Sequence, residues 1–222
     1  MKRAIINLAI NEPYISYQKN FIKSIKSVIP DIDLITWTNE LPPGSKSHSE
    51  SMYGFKVWAF KYAFEQGYNS VLWLDSPVLL KKDISFVFDI LEADKHGEFA
   101  IADDPKLYMY SSEKTINYFK ITRQEIKDKK WDLNYGQIYG FTKDSETLKK
   151  LAFCESLGLF SSQAEHQFDH DNYSYKLFNG EYVNHRHDEC LLSMIIQLEG
   201  RVMHNASIIH DSLTMNKYNF ND

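Results

Sequence analysis

Hydrophobic positions come first as a short continuous run, AIINLAI at residues 4–10, which predicts a strand. They then fall at helical spacing through residues 17–28, where Phe21, Ile22, Ile25 and Val28 share a face and Pro30 closes the segment. The two periods keep alternating. DLITWT at 33–38 predicts a second strand with Trp37 on its buried side, FKVWAFKYAFEQ at 55–66 a helix stopped by Gly67, and VLWL at 71–74 a third strand. A helix over 84–91 and a strand over 99–102 follow, while LPPGSKSHSESMYG has the Pro, Gly and Ser content of a mobile loop. Strands alternating with helices predict an α/β fold, a mixed, mostly parallel sheet flanked by helices.

The second half is less regular. Residues 116–131 are charged, with Lys127, Asp128, Lys129 and Lys130 in succession, and read as a solvated helix end or loop. LNYGQIYGF at 133–141 reads as a turn feeding a short strand, with Gly136 and Gly140 at turns or close backbone approaches. Residues 144–157 are helical in pattern, and 161–184 have no clean period, the mark of a long loop or hairpin. In VNHRHDECLLSMIIQL, Cys190, Leu191, Met194, Ile195 and Leu198 make an apolar helical face that begins near Asp188.

Composition narrows the class. The chain of 222 residues is 43% hydrophobic and 14% aromatic, enough to bury a sizeable core in one large domain. A net charge of -5 gives no global basic footprint, which argues against a nucleic-acid partner. Two cysteines, Cys154 and Cys190, are too few for a disulfide framework and suggest a reducing compartment. The first apolar run is too short for a signal peptide, and no segment reaches the roughly 18 apolar residues of a membrane span. We expect a cytoplasmic protein whose membrane contact, if any, is peripheral.

One stretch poses a chemical question. SVLWLDSPVLL at 70–80 is an apolar run broken by Asp75, and an unpaired buried carboxylate costs more than a strand of aliphatics recovers. Asp75 therefore belongs at the strand's exit, and Pro77, which has no N–H for a ladder, supports that boundary. Ligands of parallel sheets bind beyond the carboxyl ends of the strands. Asn11 and Tyr14, Thr38 and Asn39, Asp75 and Ser76, and Asp103 and Asp104 all follow such ends.

Each of these has a plainer reading. Asp188 and Glu189 lie in a first helical turn, where the helix dipole alone favours carboxylates. Lys56 is of a type that ordinarily reaches from a helix into water, and Asp103–Asp104 suits a solvated turn before Pro105. His166 and His170 are spaced i, i+4 beside Asp169 and Asp171, but the lack of helical pattern and of a cysteine partner argues against zinc. His185 and His187 would point the same way in an extended chain and could meet a diphosphate or sugar, or simply lie on the surface. No Gly-rich phosphate loop occurs.

FKVWAFKYAFEQGYNSVLWLDS together with HRHDECLLSMI resembles the GT-A class of nucleotide-sugar glycosyltransferases, in the order those enzymes carry their motifs. The resemblance runs over most of the chain. It implies a single GT-A-like, Rossmann-like domain over 1–222, with a donor half at 1–104 and an acceptor half and C-terminal tail at 105–222. It implies transfer of a sugar from a nucleotide-diphosphate sugar, a UDP-sugar being favoured, to a hydroxyl acceptor on a glycan or other molecule. Asn11, Tyr14, Lys56, Asp75 and Ser76 would face the donor, Tyr14 stacking on the base. Asp188 would be the catalytic carboxylate, a general base in an inverting transfer or a group that orients the acceptor or donor sugar in a retaining one, with Gly136 and His187 on the acceptor side. Mn²⁺ or Mg²⁺ would sit at Asp75 with help from His210, His204 being the other position of that kind. The sequence departs from the Asp-x-Asp pattern at Pro77, so Asp75 could instead hydrogen-bond the donor while Lys56 and loop N–H groups neutralise phosphate. A nucleotide-binding domain without catalysis, and an unrelated metal-dependent α/β nucleotidyltransferase or phosphatase, remain the alternatives.

Overall fold

The structure, a computed structural model, describes residues 1–103, 106–160, 168–169, 174–175 and 185–215. Its centre is a five-stranded sheet in the order β2-β1-β3-β7-β5: β1 Arg3–Ala9, β2 Asp33–Thr38, β3 Ser70–Leu74, β5 Glu98–Phe99 and β7 Ile138–Thr142. β1 runs parallel to both β2 and β3, and β7 is the one reversed strand, antiparallel to β3 and to β5. The α/β reading of the sequence holds.

Period-two alternation along the strands supplies both faces with apolar side chains. Ala4, Ile6, Val71 and Trp73 face a cluster built with α2 Phe55–Glu65, α7 Glu146–Ser156 and α8 His187–Leu198. Ile5, Leu72 and Leu74 face the other way, against α1 Tyr14–Val28 and α3 Ser85–Ala93. Trp37 is buried in the first cluster, as its strand position predicts. Each large aliphatic side chain hidden this way contributes about 1.5–3 kcal/mol, which is why the strand and helix patterns were readable.

Space between the layers is tight where β7 crosses β3. A Cβ added at Gly140 would lie 2.4 Å from Leu72 Cδ2 and 2.8 Å from the Val71 carbonyl oxygen, and that backbone atom cannot move aside. Gly140→Ala is therefore expected to destabilise the fold by about 1–3 kcal/mol. Urea titration would show it, and an unchanged midpoint would mean that β3 and β7 separate easily.

One expectation needs correcting and one refining. The strand read at 99–102 is two pieces. β5 ends at Phe99, and β6 Ile101–Ala102 leaves β7 to pair with β10 His204–Asn205, while Asn134 Oδ1 accepts the Ile101 N–H at 3.3 Å. The charged stretch 116–131 ends in the solvated helix terminus read from the sequence, with Asp128, Lys129 and Lys130 exposed, but the residues before it contribute to the core. It folds as α5 Glu113–Phe119, capped by Ser112, and α6 Arg123–Asp128, opened by a reciprocal Thr122–Glu125 capping box. With α4 Leu107–Tyr110 they bury Leu107, Ile116, Ile121 and Ile126 against Cys190 and Met194 of α8.

The remaining strands are short. β4 Val78–Leu80 pairs with β11 Leu213–Met215, and β8 Phe168–Asp169 with β9 Ser174–Tyr175. His166, His170, Asp171 and Asp104 lie outside the described residues, as does most of the segment read as a long loop. Among the described residues no helix is long and apolar enough to cross a membrane.

Candidate functional site

The carboxyl ends of β1, β2 and β3 are held together by buried amides. Asn7 Nδ2 donates to the Leu74 carbonyl at 2.6 Å, and Gln18 Nε2 of α1 donates to Asn7 Oδ1 at 2.8 Å and to the Trp37 carbonyl at 2.9 Å. Thr38 Oγ1 donates to Gln18 Oε1 at 2.6 Å. Ser76 belongs to this network. Its hydroxyl is buried and donates to the Leu8 carbonyl at 2.8 Å, so it ties the exit of β3 to β1 rather than facing outward as the donor-side reading expected. A satisfied polar network of this kind fixes one arrangement of the strand ends.

On that edge the fold gathers four of the residues picked from sequence. Lys56, in the first turn of α2, is only 3% exposed and points its ammonium at three oxygens: Asp188 Oδ2 at 2.8 Å, the Gly136 carbonyl at 3.2 Å and Asp75 Oδ1 at 3.4 Å. Lys56 and Asp188 are thus joined across 132 positions of sequence. Asp188 Oδ2 also accepts from the Tyr139 hydroxyl at 3.2 Å, and Asp75 Oδ1 accepts from Trp73 Nε1 at 2.6 Å. The faces of Trp73, Tyr139 and Tyr53 wall the ammonium at 5.0, 5.4 and 5.5 Å. The snorkelling reading of Lys56 fails because two carboxylates and a carbonyl receive it inside.

Protonation follows from this sharing. Burial works to lower the Lys56 pKa, but Asp188 and Asp75 outweigh it and hold the group well above its ordinary value, as an ammonium. Asp188 is pushed up by burial, against the pull of Lys56. A carboxylate paired with an ammonium ordinarily drops. Here one ammonium serves two carboxylates in an apolar-walled cavity, so Lys56 gains two partners while Asp188 has only a share of one. Asp75, with 31% of its side chain exposed, is the member of the cluster that faces solvent.

Glu189, next along α8, was missed as a site residue although it stands in the same HDE string. Its side chain lies over Gly136, where an added Cβ would come within 2.3 Å of Glu189 Cγ and Oε1. Burial, reinforced by Asp188, pushes its pKa up to about 8. Because the folded value is raised, the native state keeps a proton that the unfolded chain has released, and stability falls as pH climbs from the ordinary carboxylate range toward 8. Glu189→Gln should flatten that fall. Melting curves at about pH 5.5 and about pH 8.5 test this, and equal losses in variant and parent would remove the proton from Glu189.

The surroundings of the cluster are aromatic and conformationally unusual. Tyr53 packs against His48 at 5.2 Å and His187 at 5.4 Å, and His187 meets His185 edge-on at 5.0 Å. His187 Nδ1 bonds the Phe160 carbonyl at 2.8 Å, so this buried ring is anchored to the backbone behind it. Asn11, Asn39, Tyr53 and His187 all have positive φ, at 61°, 55°, 58° and 35°. Asn11 donates its N–H to Asn39 Oδ1 at 3.0 Å, and Tyr14 beside it is 44% exposed, edge-on to Tyr17. Asp103 is exposed, in keeping with the solvated-turn reading.

The described residues do not make an oxygen cage for Mn²⁺ or Mg²⁺, which take about six ligands at roughly 2.0–2.2 Å. Lys56 Nζ stands between the two carboxylates, Ser76 is turned inward, and Pro77 offers no side-chain ligand. His210 is 85% exposed at its side chain and contacts Asp211 at 3.4 Å, and His204 stacks on Phe99. Among the described residues no group of three or more His, Cys, Asp or Glu is placed to hold a metal ion.

No protein family and no curated protein matches the sequence. Among solved structures, the chain is similar to a glycosyltransferase involved in the glycosylation of the major capsid of PBCV-1, at 15% identity over 69% of this chain and 66% of that one, with a TM-score of 0.41. The matched part spans just under two thirds of that protein's length.

Proposed function

We propose that the protein is a glycosyltransferase that moves a sugar from a nucleotide-diphosphate sugar, a UDP-sugar by preference, to a hydroxyl acceptor on a glycan or a smaller molecule. The observation that carries this reading is the meeting of Asp188 with Asp75 through Lys56 at the carboxyl edge of the parallel strands. Transfer with inversion needs two functions side by side: a polar group at the donor and a base for the acceptor. Asp75, the exposed carboxylate, takes the donor side, with Asn11 and Tyr14 at the neighbouring strand exit. Asp188 takes the acceptor side.

In this reading Asp188 Oδ1 receives the acceptor hydroxyl's proton as that oxygen attacks C1. The new C1–O bond forms as the bond from C1 to the diphosphate oxygen breaks, and the diphosphate leaves with the bonding pair. Lys56 and Tyr139 both bind Oδ2 and so fix the carboxylate's orientation. Burial raises the Asp188 pKa, which makes its carboxylate a stronger base, while Lys56 restrains the rise. Calorimetric titration with UDP, GDP and their common sugar conjugates tests the donor half. A donor that binds and releases its diphosphate when a hydroxyl acceptor is added supports the reading. Binding without turnover points to a non-catalytic nucleotide-binding domain, and no nucleotide binding at all rejects it.

A further inference from the structure

We infer that Lys56 is the resident cation of this site: its ammonium takes the place a divalent ion would occupy between Asp75 and Asp188, and the site works without such an ion. The inference stands whether or not the reaction is glycosyl transfer, because it rests on the arrangement of the carboxylates alone.

The ammonium donates hydrogen bonds to Asp188 Oδ2 and the Gly136 carbonyl and is ion-paired with Asp75 Oδ1 at 3.4 Å, so three oxygens surround it. Those oxygens come from three separated parts of the chain, the start of α8, the turn before β7 and the exit of β3. The cation therefore does what a bridging metal does, which is to hold two carboxylates together from different elements. Aromatic faces on three sides keep it from swinging out to water. A dication bound to the same carboxylate oxygens would stand within a few ångströms of a like charge in a cavity that screens poorly. Asp75 Oδ1 also accepts from Trp73 Nε1 at 2.6 Å, and the indole holds that carboxylate facing the ammonium. The proline at position 77 then follows naturally: with the cation supplied by α2, the strand exit has no need of a second carboxylate.

Removing the ammonium should turn the cluster into a metal site. Lys56→Ser leaves Asp75, Asp188 and the Gly136 carbonyl around an empty, negatively charged space of the right chemistry for a hard cation. The test is titration of the purified full chain with Mn²⁺ alone, followed by calorimetry and by melting temperature. The wild type is expected to show no saturable Mn²⁺ binding at the cluster and the same melting curve with Mn²⁺ or chelator. Lys56→Ser is expected to bind Mn²⁺ and to melt several degrees higher with it than with chelator, and Lys56→Ser/Asp188→Asn to lose that response. Saturable binding to the wild type that Asp75→Asn abolishes would overturn the inference, as would a folded Lys56→Ser that ignores Mn²⁺. Should Lys56→Ser fail to fold, the wild-type titration with and without Asp75→Asn decides alone. A parallel titration with UDP separates this question from the donor assignment: UDP binding unaffected by chelator supports the inference, UDP binding that requires Mn²⁺ and Asp75 overturns it, and absence of UDP binding bears only on the proposed function.

Discussion

Lys56→Met is expected to lower stability by about 3–5 kcal/mol, the usual cost of stripping a buried ion pair of one partner. Methionine keeps the length and apolar stem of the side chain, so the loss would come from charge. Asp188 and the Gly136 carbonyl would be left without their donor, and Asp75 and Asp188 would repel one another across the space the ammonium had filled. Denaturant titration measures the loss. Lys56→Met/Asp188→Asn should recover a substantial part of it, because the amide removes the stranded buried charge. Strictly additive losses in the two single variants and the double variant would mean that the pair is uncoupled and that Lys56 matters only as packing.

Asp188→Asn is expected to cut transfer by about a hundred- to ten-thousand-fold, the range for loss of a positioned general base. Folding should be less affected. Lys56 keeps Asp75 and the Gly136 carbonyl as partners, and an asparagine oxygen can still accept from Lys56 and Tyr139. Nucleotide affinity should stay nearly unchanged, since this carboxylate is assigned to the acceptor. An equal fall in nucleotide binding would place Asp188 at the donor instead, and an unchanged rate would take it out of the chemistry.

The sequence disclosed those parts of the molecule in which local pattern and burial agree. The strand 33–38 and the helix from Phe55 were legible from dense apolar content bounded by breaks, Asn39 and the Pro-Pro-Gly loop after the strand and Gly67 after the helix. The short helices α5 and α6 were hidden by their charges. Ile116, Ile121 and Ile126 do not fall on one continuous helical face, although the T-x-x-E string at Thr122–Glu125 was a local start signal that could have been followed. At the site, chemistry-bearing residue types were legible and their partners were not. Trp73 reads as a core residue from its strand and is buried, yet its indole N–H also orients Asp75. Tyr139 looks like any aromatic in a short strand until the fold brings its hydroxyl to Asp188. Ser76 erred in the other direction: following Asp75 at a strand exit made it look available, and only the third dimension turns it toward Leu8. Pairings that span the whole chain leave no periodic trace.

The positive φ angles at Asn11, Asn39, Tyr53 and His187 set a trap for anyone improving this protein by heat selection. Non-glycine residues in such conformations store of order 1–3 kcal/mol each, less for asparagine, and the strain is concentrated at Tyr53 and His187. Glycine at position 53 would relieve backbone strain while deleting a ring that walls the Lys56 ammonium, whereas at position 187 it would also remove a buried ring and its hydrogen bond to the Phe160 carbonyl. Selection for survival at high temperature alone would thus bear on the partly exposed Tyr53 and not on His187, whose buried ring is worth more in packing than the strain it carries. Selection on turnover would hold Tyr53 in place even where its backbone strain lowers the melting temperature.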